Sequence, residues 1–149
     1  MTKKSLLLLL LILFQGKIAM ATGFTTIEGV KKLSPCPSSP NCVNSHHKDK
    51  KDHYITPIKH TKTREVAKQA LLKVLKSYSN AKIVKVTENY IHVHFTSSFF
   101  KFVDDIEFDL SHEGVIHFKS ASQTGHSDFG VNRKRMEEIK KKFNALLLI

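Results

Sequence analysis

Residues 90–109 read "YIHVHFTSSFFKFVDDIEFD", and their alternation constrains the fold more than any other feature. Ile91, Val93 and Phe95 point one way, with Phe100, Phe102, Ile106 and Phe108; Tyr90, His92 and His94 point the other way, with Asp105, Glu107 and Asp109. Successive strand side chains leave opposite faces, so the pattern demands a sheet with one apolar and one polar face. "KIVKVTE" before this stretch and "GVIHFKSAS" after it complete four strands, joined by turns at Glu88–Asn89 and at "SHEG". Consecutive hairpins make such a sheet antiparallel, with the polar face turned to water.

The apolar face needs a cover. In "TKTREVAKQALLKVLKSYSN", Val66, Ala67, Ala70, Leu71, Val74, Leu75 and Tyr78 recur at helical spacing, with lysines outside. Thr61 or Thr63 is the expected N-cap, and Asn80 the expected stop. A second helix places Met136, Ile139, Phe143 and Leu146 inward, with Asn132 as its expected N-cap and Val131 stapled to Met136. "YITPIKH" adds a short strand that Pro57 confines to an edge or an end. The expected order is therefore β-α-β-β-β-β-α, an α+β fold of about five antiparallel strands with both helices on one face. That order is similar to one half of a TATA-binding-protein-like fold, a likeness of topology that carries no function.

Upstream, "MTKKSLLLLLLILFQGKIAMA" has the charged start, short apolar stretch and small-residue cut site of a secretory signal over residues 1–21. Export to a periplasmic or extracellular space is the expectation, with no transmembrane segment in the mature chain. Residues 22–52 lack apolar periodicity and read as an extended arm, and residues 53–149 as the α+β domain. The formal net charge is +11, or +8 without Lys3, Lys4 and Lys17 of the leader. That surplus favours anionic surfaces or small anions as partners. Nucleic acid is a poor fit to an exported chain without a recognition motif.

In an oxidising space, "SPCPSSPNCVNS" implies a Cys36–Cys42 disulfide, closing a small ring worth about 2 kcal/mol. A zinc site of Cys36, Cys42, His46 and His47 is the alternative, with a spacing that matches no common pattern.

Two groups of residues could carry chemistry. Asp104 shares the parity of Ile106 and Phe108, so it faces the core and needs a partner there. If "SHEG" closes a tight hairpin, Asp104 lies across from Ser120 and Glu107 across from His117. The last helix opens with Arg133, Lys134 and Arg135, cations where the helix dipole disfavours them. Pairing of Arg133 or Arg135 with Asp104 would account for them, since a guanidinium meets a carboxylate by parallel bonds. The other reading is an external phosphate or carboxylate at the helix start. On the polar face, His92, His94, Glu107 and His117 could hold a divalent metal, although cross-strand charge pairs on a wet sheet face explain them more cheaply. No other cofactor is implied. "GHSDFG" is one residue too long for a nucleophile elbow, and its adjacent His and Asp cannot form a relay.

Taken together, "CPSSPNCVNS", "VDDIEFDL" and "FKSASQTGHSDFGVNRKR" resemble, in order, the signature blocks of a family of proteins of unknown function, DUF1499. The resemblance spans residue 34 to about residue 143. It implies an exported or envelope-associated protein and assigns no activity. It singles out Cys36, Pro37, Pro40, Asn41, Cys42, Asp104, Asp105, Ser120, Ser122, Gly125, Ser127, Asp128, Gly130, Asn132 and Arg133. Lys119 and Gln123 stand where the family's pattern often has arginine, and Asp109 where it often has a basic residue. The combined expectation is a non-enzymatic binding module for an anionic ligand or surface, with a metal-dependent enzyme as the alternative.

Overall fold

The fold is known from a computed structural model, which describes residues 23–27 and 29–148. The expected leader lies outside the described residues, and no helix within them is long and apolar enough to cross a membrane. Strands β1 (Phe24–Ile27) and β2 (Val30–Leu33) form a hairpin of their own. The main sheet holds β3 (Cys42–Asn44), β4 (Ile58–Lys59), β5 (Ala81–Val86), β6 (Tyr90–Thr96), β7 (Val103–His112) and β8 (Val115–Ser122). Its order is β3-β8-β7-β6-β5, all antiparallel, and two-residue β4 shares the outer edge of β8 with β3. The architecture is α+β, with the expected β-α-β-β-β-β-α order running from β4 onward. One more sheet strand, β3, comes from the arm.

Helices α1 (Arg64–Lys76) and α2 (Val131–Leu147) cover the apolar face. Leu71, Val74 and Leu75 of α1 and Met136, Ile139 and Phe143 of α2 close on Ile91, Val93, Phe95, Ile106, Phe108 and Phe118. Fully burying each phenylalanine stabilises the fold by about 2–3 kcal/mol, so this layer dominates the energetics. Thr63 caps α1 through a bond from the Val66 N–H. The helix stops at Ser77 instead of Asn80, whose amide donates to the Thr96 carbonyl. Leu146 and Leu147 pack against the core, whereas Leu148 is exposed.

Four expectations about position are corrected. The β7–β8 hairpin turns at Glu113–Gly114, with His112 opposite Val115 and a bulge before it. Gly114 has φ +73°, which an L side chain resists. The register therefore moves by two residues, so Asp104 faces Ser122, Ile106 faces Ser120, Glu107 faces Lys119 and Asp109 faces His117. Phe100 and Phe102 keep the apolar parity but precede the start of β7, and both are exposed. Asn132 lies inside the first turn of α2, not at its cap; Gly130 holds that place, and Val131 is exposed, so it staples nothing. Finally, the polar sheet face is not wet. Asp105, Glu107, Asp109 and Lys119 are all buried; the arm lies over part of this face, where the Gly23 N–H donates to Glu107, Phe24 packs on Tyr90 and His46 bonds Asp109.

Candidate functional site

The first cluster sits where the disulfide loop, β8 and α2 meet. Cys36 and Cys42 are bonded, which removes both sulfurs from any zinc set. His47 instead points its Nε2 at the Leu33 carbonyl. Asn132, wholly buried, accepts from the Ser120 hydroxyl and from Arg135. Its amide nitrogen reaches Ser122 Oγ, the Asn41 carbonyl and Asp128. Asp128 also accepts from the N–H groups of Gly130 and Asn132, doing for the helix start what a side-chain cap does. Asn41 donates to the Gly125 carbonyl at 2.6 Å, and Ser127 Oγ accepts from the Phe129 N–H.

Arg135 meets Asp104 at 2.7 Å, with both side chains largely buried and the guanidinium 5.0 Å from the Phe95 ring centre. Arg133 turns away and donates to the carbonyls of Tyr54 and Asp52. Both guanidinium groups therefore have internal acceptors. The cluster is a clasp joining helix, sheet and disulfide loop.

The second cluster lies on the polar face. His92 and His94 leave β6 on the same side, and Asp105 of β7 stands opposite His94. Their Nε2 atoms lie 2.8 and 2.9 Å from the same Asp105 Oδ1. Gln123 donates to the other oxygen at 3.0 Å. Burial works to raise the Asp105 carboxyl, but the bonds from His92 and Gln123 and the neighbouring imidazoles outweigh it and hold it low.

Glu107 and His117 do not join this group. Glu107 accepts from the Tyr90 hydroxyl and faces Lys119 at 4.0 Å. Burial, then the Glu107 bond and charge, drive the Tyr90 hydroxyl far above its ordinary range. Burial pulls the Lys119 ammonium down, against the opposing pull of Glu107 and Asp105.

His117 belongs to a third group with His46, His112 and Asp109. Its ring stacks on His46 at 3.9 Å, and His46 bonds Asp109 at 3.0 Å. Burial on Asp109 is outweighed by bonds from His46 and Ser111, so its carboxyl is held low. His46, a ligand in the alternative zinc set, instead bonds Asp109; nothing in the arm's sequence marks where it folds.

A fourth feature lies in two loops at one end of the sheet. Phe99, Phe100 and Phe102, in the β6–β7 loop, are 87%, 69% and 56% exposed, and their rings contact one another in series at 5.0 and 5.5 Å. Phe129, 97% exposed, sits in the β8–α2 loop, which leaves the sheet at the same end because β7 begins beside the end of β8. Lys101 and Phe129 have φ of 56° and 52°, a left-handed backbone costly for residues with a side chain.

Lysines surround this patch, with Asp128 the acidic neighbour of Phe129. Exposed Lys76, Lys82, Lys101 and Lys134 stand at or beside this end, where α1 stops, β5 starts and α2 starts. Glu88 and Glu113 occupy turns at the opposite end, gathered by Arg64.

A two-layer α+β domain with a disulfide-tied arm lying over part of its polar sheet face is what these elements define. The sequence profile of a family described as proteins of unknown function, DUF1499, matches residues 32–143, and the chain belongs to that family. No curated protein matches it.

Proposed function

We propose that this protein is an exported, non-enzymatic module that docks on an anionic lipid surface of the cell envelope. The observation that supports it is the run of touching, exposed phenylalanines at one end of the sheet, flanked by lysines. Soluble proteins rarely leave such rings contiguous in water, and patches of this kind mark interaction surfaces. Partial insertion of three rings is worth several kcal/mol, and each lysine near an anionic leaflet adds about 1 kcal/mol. Neither term anchors a protein tightly alone; together they give reversible, charge-selective binding. Segment 48–52, whose Asp52 backbone touches Arg133, carries three lysines against two aspartates and does not reverse the sign. A small anion at the start of α2 is the poorer fit, because Arg133 and Arg135 already serve internal acceptors.

Co-sedimentation with vesicles tests the reading. The mature chain is expected to pellet with phosphatidylcholine–phosphatidylglycerol vesicles and not with phosphatidylcholine alone, with binding weakened at high salt. Phe99→Ser with Phe100→Ser should reduce pelleting at least tenfold without changing the melting temperature. A dimer in lipid-free buffer that these substitutions dissolve, with vesicle binding unaltered, would assign the patch to a second copy and overturn the reading.

A further inference from the structure

We propose that His92, His94 and Asp105 form a binding site for a divalent transition-metal ion. The inference goes beyond the lipid-docking reading and uses other side chains: its ligands lie within β6 and β7, whereas the exposed rings lie in the loop that joins them.

Strand geometry brings the ligands together. Residues two apart on β6 point the same way, which aligns His92 and His94, and the antiparallel register sets Asp105 opposite His94. One ligand atom from each residue lies within 4.8 Å of the others. A tetrahedral ion with bonds near 2.0–2.1 Å needs its donors about 3.3 Å apart. The observed 2.8 and 2.9 Å separations need only a few tenths of an ångström of opening. Both imidazoles present Nε2, and a single carboxylate oxygen completes three corners of a coordination sphere.

The surroundings suit that task. Gln123 fixes the outer Asp105 oxygen, as a supporting donor does for a ligating carboxylate. Asp105 is buried, and the His94 side chain is 31% exposed, so an ion has a route from solvent and a fourth position for water. Two imidazoles and one carboxylate suit zinc, copper(II) or nickel(II); calcium and magnesium prefer an oxygen shell. Of the neighbouring cations, Lys119 is partly offset by Glu107 across the strand pair, and Lys82 and Lys85 of β5, opposite His94 and His92, are exposed to solvent that screens them. The neighbouring face is closed by Tyr90, whose hydroxyl is held by Glu107.

The competing account is a purely structural ion pair, in which protonated histidines share Asp105. Titration calorimetry of the full mature chain with zinc chloride separates the two, supported by imidazole nitrogen NMR, which reports metal at Nε2 directly. The expected result is one equivalent bound at micromolar or lower Kd, with the Nε2 resonances of His92 and His94 displaced. His94→Gln, at the more exposed ligand, should weaken binding at least tenfold while circular dichroism stays unchanged. His126→Gln, in an exposed loop, and His112→Gln, beside Asp109, should leave it intact. Absence of zinc binding would overturn the proposal. So would binding that survives His94→Gln or is lost in His112→Gln, because the ion would then sit elsewhere. Vesicle binding by Phe99→Ser/Phe100→Ser is a separate readout, so either proposal can fail alone.

Discussion

Removing the guanidinium of Arg135 should unfold a large share of what holds α2 to the sheet. The partners meet at 2.7 Å, with 14% and 10% of their side chains exposed. Two unit charges about 4 Å apart attract by about 4 kcal/mol at an effective dielectric near 20, before the cost of drying them. Most of that attraction offsets desolvation, so the pair itself stabilises little. Truncating one member is different, because Asp104, 7% exposed beside Phe95, is left as a buried charge without its partner. Arg135→Met should therefore cost about 3–4 kcal/mol, part of it from the donor lost by Asn132. For a domain of this size that is a fall of roughly 10 °C in Tm. Asp104→Asn, which keeps the shape, should cost about 1–2 kcal/mol. Urea unfolding of Arg135→Met, Asp104→Leu and the double variant, disulfide intact, closes the cycle. A coupling of about 2 kcal/mol or more is expected. Coupling below about 0.5 kcal/mol would refute the reasoning and leave the clasp an incidental contact.

Two further outcomes follow from local chemistry. Burial first, then the charges of His46 and His112, hold His117 down at about 4 against the pull of Asp109. The unfolded chain binds that proton below about pH 6.5 and the native chain does not, so stability rises with pH across this window. Lowering the pH from 6.5 to 5 should remove about 2 kcal/mol through this residue. His117→Asn should flatten that slope in urea titrations, and an unchanged slope would contradict the assignment. At Gly114, φ is +73° and an added Cβ would stand 3.2 Å from the His60 carbonyl, whereas Gly125, with φ +85°, has open space around it. Gly114→Ala should thus cost about 2 kcal/mol, and Gly125→Ala only about 1. Equal losses in thermal unfolding would argue against the packed turn.

The legible part of the fold was what periodicity writes directly. Alternation along β6 and β7 placed Ile91, Val93, Phe95, Ile106 and Phe108 on the core side and Asp105, Glu107 and Asp109 on the other. The inward parity of Asp104 was enough to demand a cation from α2. What escaped depended on contacts distant in sequence. The arm has no periodicity, so nothing announced that it would contribute β3, lie over part of the polar face or bring His46 to Asp109. The two-residue register shift came from a bulge and a glycine turn, and it parted Glu107 and His117. Asn132 looked like a cap because asparagine suits one, but the buried hydroxyls of Ser120 and Ser122 made a stronger claim on its amide. Phe100 and Phe102 obeyed the alternation one turn too early, where the loop carries them past the edge of the core.

The chain contains no tryptophan, so Phe100→Trp installs a single fluorophore at the centre of the exposed aromatic run. Its emission, recorded with and without vesicles, addresses lipid docking more directly than any other measurement. A shift to shorter wavelength with phosphatidylglycerol-containing vesicles, together with protection from aqueous iodide, is the expected result; phosphatidylcholine vesicles should give neither. Emission that stays at the water-exposed wavelength, fully quenched by iodide on anionic vesicles, would contradict the account.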